Sequence, residues 1–153
     1  MIYRIRKSSG VVPKIAHWER HLADYIESRR DTPFRWGEFD CAVFAHESLA
    51  VQYGAIDIPY FAGRYKTAKG AARFLRSFFE ADSLQTALSR YMIEVAPKLA
   101  QRGDIVSIRE DSPIEGVGEA LGVCLGSKVA VTTLAGVAYI ERSKIARAWR
   151  LEL

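Results

Sequence analysis

The strongest constraint on this chain is a change of hydrophobic period near Pro97. Before it, apolar residues recur at three- and four-residue steps, the helical repeat. After it they alternate, the strand repeat. Residues 13–30 predict an amphipathic helix with Ile15, Trp18, Leu22, Tyr25 and Ile26 on one face. Asp31-Thr32-Pro33 ends it, because the residue before a proline disfavours helical backbone. Residues 33–39 read as a turn. Asp40 then opens a second helix as N-cap, carrying Cys41, Phe44, Ala45, Ser48 and Leu49 and closing at Tyr53-Gly54. A third helix starts at the Thr67 cap and buries Ala71, Phe74, Leu75 and Phe78. A short fourth runs over 83–91. Strands are predicted at 104–109, 120–125, 129–134, 137–141 and 145–151, with tight turns at Gly126-Ser127 and Ala135-Gly136. Helices first and a meander after them spell an α+β domain, N-terminal helices packed on a C-terminal antiparallel sheet of four to six strands.

The 153 residues fit one domain, 1–153, large enough for a core without staples. No apolar run approaches the roughly 18–20 residues that cross a bilayer, so no membrane span is expected. Met1-Ile2-Tyr3-Arg4-Ile5-Arg6-Lys7 has no apolar stretch behind its charges, so no secretory signal is expected. Two cysteines, Cys41 and Cys124, exclude a disulfide framework and a four-cysteine zinc site. The net charge of +4 is read as scattered, densest at 4–7, Arg29-Arg30 and 142–150. A nucleic-acid partner would want a clustered face, so none is expected. No phosphate loop or paired-carboxylate site stands out, and no cofactor or metal is expected.

The chemistry-bearing stretch is Trp36-Gly37-Glu38-Phe39-Asp40-Cys41. A cysteine in the first turn of a helix feels unpaired amides and the positive end of the helix dipole. Both favour the thiolate, the nucleophilic form. The bland alternative is a small buried hydrophobe, since free cysteine is among the most buried residue types.

Three motifs resemble landmarks of the NlpC/P60 cysteine peptidases. Trp36-Gly37-x-x-Asp40-Cys41 is similar to their nucleophile motif. Gln101-Arg102-Gly103-Asp104-Ile105-Val106 is similar to their Pro-Gly-Asp-Leu-Val strand start, with Arg102 in place of proline. Ala120-Leu121-Gly122-Val123-Cys124-Leu125-Gly126 is similar to their His-Val-Gly-Ile-Tyr-x-Gly. Order and spacing fit over residues 13–150, and the nearest likeness is to small NlpC/P60-like proteins encoded among phage and prophage tail genes. The resemblance implies a papain-like fold, Cys41 as nucleophile and Asp40 as its N-cap.

The chain departs from that pattern where catalysis needs it. The family's general base opens the third motif, and Ala120 stands there. The third triad member comes from the next strand, which here reads Thr132-Thr133, and the small pair after the nucleophile is Ala42-Val43. Losing the base of such a triad costs on the order of 10⁴–10⁶ in rate. The histidines are His17, His21 and His46. His46, five residues after Cys41, falls about 140° around the helix and points away. His17 and His21 are one turn apart and are the candidate substitute bases. Cys124 is read as core filler on the face of Ala120 and Gly122, from which a disulfide to Cys41 is geometrically open.

Two function classes follow from the resemblance, and a third from its being accidental. One is a structural component of a phage or prophage tail tip or baseplate, made in the host cytoplasm, resident in the virion tail and partnered by hub proteins. Its surplus aromatics Trp36, Tyr60 and Phe61, on irregular segments, would serve an interface. The second is an active cysteine endopeptidase or amidase cutting peptidoglycan stem peptides. The third is an unrelated binding module.

Overall fold

The computed structural model describes residues 2–3 and 13–151. The basic run at 4–7 lies outside the described residues. The chain runs β1 (Ile2–Tyr3), α1 (Trp18–Ser28), α2 (Cys41–Tyr53), β2 (Ile58–Pro59), α3 (Ala68–Phe79), α4 (Leu84–Ser89) and β3 (Ile93–Val95). Then come β4 (Ile105–Ile108), β5 (Leu121–Cys124), β6 (Lys128–Thr133), β7 (Gly136–Glu141) and β8 (Ile145–Arg150). β1 pairs with β2, and the other six strands form one antiparallel sheet in the order β3-β8-β4-β5-β6-β7. The architecture is α+β, helices before sheet.

Register explains how one sheet serves two clusters. Trp149, Ile105, Val123 and Ala130 sit opposite one another across four strands. All four join the main core with the helices. The next positions along, Ala148, Val106, Cys124 and Val129, face the other side and form a smaller cluster with Ala100 and Ile145. Side chains alternate across a strand, so the face toward α2 carries Leu121 and Val123, and Cys124 turns away. The expected closeness of Cys124 to the cysteine helix is thus corrected. Cys41 belongs to the helix-side core and Cys124 to the opposite cluster, a free buried cysteine each.

Several local expectations shift. The first helix begins at Trp18, because His17 takes a left-handed φ of 60° and residues 13–17 lie along the end of α2, with the Ile15 amide donating to the Gln52 carbonyl at 2.8 Å. α3 buries Ala71, Leu75 and Phe79 rather than Phe78, which is exposed. Of the aromatics expected at the surface, Phe61 is buried in a ring cluster with Phe74 and Phe79, and Trp36 and Tyr60 are half-buried. The turn between β6 and β7 is Leu134-Ala135, one residue earlier than expected. No helix among the described residues is long and apolar enough to cross a membrane.

Candidate functional site

The turn that delivers Cys41 is built around Asp40. Residues 35–39 fold back on themselves, with the Phe39 amide donating to the Arg35 carbonyl at 2.9 Å. Gly37 sits at φ 76°, and a Cβ there would lie 1.8 Å from the Tyr65 carbonyl oxygen, so only glycine fits. Asp40 is extended and buried. Its Oδ1 accepts from the Val43 amide at 2.9 Å, the N-cap bond expected from sequence. Its Oδ2 accepts from the Gly37 amide at 2.9 Å and the Tyr65 hydroxyl at 2.6 Å. One carboxylate thereby ties the turn, the helix start and the 60s loop together.

Cys41 follows in the first turn of α2, only 6% exposed. The backbone amides of Leu121 and of Cys41 itself favour its thiolate. Leu121, the first residue of β5, belongs with Cys41 to the main core, and Ala120, which precedes it in the chain, packs against the same core. Burial pushes the thiol up to about 12, and the charges of Asp40 and, more weakly, Glu110 act in the same sense against the two amides. The expectation of a lowered pKa at the helix start is therefore corrected. Desolvation of the charged form outweighs the amides and the helix terminus. The apolar crevice beside Cys41, between Trp36, Tyr65, Phe74, Leu84 and Val117, offers about 10 Å³, room for one water molecule.

Two carboxylates hold the loop that closes over this point. The Ala120 amide donates to Glu110 at 3.1 Å, the Glu110 amide to Glu119 at 3.2 Å, and the Ser107 hydroxyl to Glu119 at 3.3 Å. Gln85 and the Leu84 amide pin the same loop to α4 through the carbonyls of Glu119 and Val117. Sequence reasoning missed Glu110 because it lies outside every motif. Its ten-residue spacing from Ala120 matters only once β4 and β5 pair.

His17, just before the first helix, and His21, on it, are the candidate substitute bases and both are exposed, while Leu22 and Ile26 of the helix are turned inward. His17 is the N-cap of the helix, with a left-handed backbone, and its carbonyl accepts from the His21 amide at 3.1 Å, so the two are one turn apart as the spacing suggests. The structure brings neither to the buried sulfur. His46 is buried, with its ring 4.9 Å from that of Tyr60, and burial lowers its pKa to about 4. Among the described residues no group of three His, Cys, Asp or Glu gathers where a metal could bind.

The second motif has a structural role. Asp104 is 2% exposed and receives both the Nε and Nη2 of Arg150, at 2.9 and 2.7 Å, together with the Gln101 amide. The Gly103 amide donates to Cys124 and the Cys124 amide to Asp104. Gly103-Asp104 thus extends the β4–β5 ladder and locks it to β8.

A polar knot on the other flank of α2 escaped the sequence reading. Glu47 accepts from the hydroxyls of Tyr25 and Tyr60, each at 2.6 Å, and from Arg29 at 3.0 Å, beside an open hollow of about 410 Å³. Three donors on one carboxylate fasten α1 and the β2 region to α2. The available signal was an acidic residue between His46 and Ser48 in an otherwise apolar helix.

A family model described as Domain of unknown function (DUF6950) matches residues 13–151. No curated protein matches the chain.

Proposed function

We propose that this chain, which belongs to the DUF6950 family, is a papain-like domain of NlpC/P60 type that has kept the cysteine helix and lost hydrolysis. In this reading it serves as a structural component of a phage or prophage tail tip or baseplate. One observation carries it: Cys41 is a buried thiol pushed up to about 12, and the motif position of the family's base is held by Ala120, which packs against the same core. At pH 7 a thiol of that pKa is thiolate in about one molecule in 10⁵. Acyl transfer also needs a group that takes the thiol proton and returns it to the leaving amine. Ala120 can do neither. Glu110 is a negative neighbour that opposes the thiolate, and His17 and His21 are exposed elsewhere. The likeness to papain-like domains is supported by the Asp40-capped helix packed against β5, and the tail setting by the three motifs in register.

The rival reading, an active endopeptidase or amidase, has one observation in its favour: the Leu121 and Cys41 amides favour the thiolate, and amides near the sulfur can serve as donors to an acyl intermediate. The test is release of stem-peptide fragments from purified peptidoglycan by the wild type, Cys41→Ala and Ala120→His. The expected result is no release by wild type beyond that of Cys41→Ala. Wild-type release abolished by Cys41→Ala would overturn the structural reading. Release by Ala120→His alone would support a groove that lacks only its base. For the setting, the chain is expected in purified tails of a phage that encodes it, and its absence there would overturn that part.

A further inference from the structure

The crevice beside Cys41 is closed in part by a loop that is otherwise open to solvent. Residues 109–120 join β4 to β5, and among them Val117 alone is buried, at 3% exposure. Its side chain lines the crevice together with Cys41, Trp36, Tyr65, Phe74 and Leu84. The sequence sets this valine between Gly116 and Gly118, at φ 79° and 91°. Glycine adopts such backbone at little cost, and its missing side chain lets the loop pass close to the helices. A Cβ on Gly116 would lie 2.8 Å from that of Ala72 on α3, and one on Gly118 would collide with Oε1 of Gln85 on α4.

The tip of the loop is folded mainly on itself. The Val117 and Gly118 amides both donate to the Ile114 carbonyl, at 3.0 and 2.7 Å. Among the described residues two hydrogen bonds tie residues 111–119 to the helices. The Leu84 amide donates to the Val117 carbonyl at 2.7 Å, and the Gln85 side-chain amide to the Glu119 carbonyl at 2.9 Å. Both donors belong to the start of α4. The base of the loop is held separately, by the Ile108 amide on the Ala120 carbonyl at 2.9 Å and the Ala120 amide on Glu110 at 3.1 Å. Lifting the tip therefore breaks two hydrogen bonds and uncovers one valine, while its own turn and its base stay intact. Segments with so few buried contacts open locally, without unfolding of the whole domain.

We propose that Gly116-Val117-Gly118 is a gate over Cys41: the tip swings out on its base, Val117 leaves the crevice, and the thiol becomes accessible while the rest of the domain stays folded. The gate shares with the proposed function only the assignment of Cys41 to the nucleophile position. Its test reads access rather than hydrolysis, so either can fail alone.

The test is alkylation of Cys41 by iodoacetamide in the full chain carrying Cys124→Ala, followed by mass spectrometry in urea concentrations below the unfolding transition. The rate should be nearly independent of urea, because lifting the tip exposes little surface. Val117→Ala should raise it at least about tenfold, as two fewer buried methyl groups shift the opening equilibrium. Gln85→Ala, which removes one tie, should raise it several-fold. Ile26→Val weakens the core on α1, away from the loop, and should leave the rate unchanged. Hydrogen exchange gives a second reading. Protection of the Leu84 amide, bonded to the Val117 carbonyl, should be well below that of the Gly103 amide, bonded to the carbonyl of residue 124. A rate that climbs with urea along the global unfolding curve would overturn the gate. So would a rise in Ile26→Val equal to that in Val117→Ala, or equal protection at Leu84 and Gly103. Peptidoglycan release by Val117→Ala reports separately: hydrolysis there would overturn the non-hydrolytic reading and leave the gate standing.

Discussion

His46 should make this protein acid-sensitive in a way that one substitution removes. The imidazole is buried at 5% exposure, and burial lowers its pKa from 6.5 to about 4, with nearby Glu47 opposing only in part. Below pH 6.5 the unfolded chain takes a proton here that the folded chain refuses until about pH 4. Stability therefore falls with pH across that window, at up to about 1.4 kcal/mol per unit. The whole effect is about 3 kcal/mol and is complete below pH 4. By pH 5 about 2 kcal/mol is lost relative to pH 7.5, a large share of the 5–15 kcal/mol typical of a domain. Urea unfolding at pH 7.5 and pH 5 on wild type and His46→Gln measures it. The variant loses packing against Tyr60 at both pH values, and the carboxylates titrate in both proteins, so the difference of differences isolates the imidazole. An expected value near 2 kcal/mol follows. Equal acid losses in the two proteins would refute the claim that His46 is held neutral by burial.

Three further substitutions probe the elements that position the site. Asp40→Ala removes the N-cap and leaves the Gly37 amide and Tyr65 hydroxyl without their acceptor. It should cost about 3 kcal/mol in urea unfolding, and a loss below about 1 kcal/mol would contradict the triple role. Arg150→Ala strands Asp104 in the interior and should cost about 3–5 kcal/mol at pH 7. Retention of wild-type stability would show that the pair is dispensable. Gly37→Ala should lower the thermal midpoint by well over 5 °C, as its Cβ meets the Tyr65 carbonyl; an unchanged midpoint would contradict that contact.

Local rules carried most of the framework. Asp40 and Thr67 cap α2 and α3 as expected, and Ser83, placed inside the fourth helix by the sequence, caps it instead, because an N-cap is decided within three residues. The five longer strands follow alternation within a residue or two. β3 escaped because Ile93-Glu94-Val95 is a three-residue edge strand, too short for periodicity, and it exists only through pairing with β8. The Phe78/Phe79 choice on α3 was one residue of helical phase, settled by where Phe61 packs. The thiol's protonation was misread for a deeper reason. A helix N-terminus is visible in sequence, but the burial that outweighs it comes from packing against residues distant in the chain, such as Phe61, Phe74, Leu84 and Val117. The Glu47 knot likewise joins side chains 13, 18 and 22 residues apart that no local pattern links.

The most direct test is the ionisation of Cys41 itself. A Cys124→Ala background leaves one thiol, and its alkylation by iodoacetamide can be followed by mass spectrometry from pH 7 to 9.5, folded and in denaturant. The expected folded rate is at least about 100-fold below the unfolded rate and still rising at pH 9.5, as a buried thiol near 12 requires. A folded rate that levels off with a midpoint below pH 8, at or above the unfolded rate, would mean an activated thiolate and would contradict the non-hydrolytic reading of this domain.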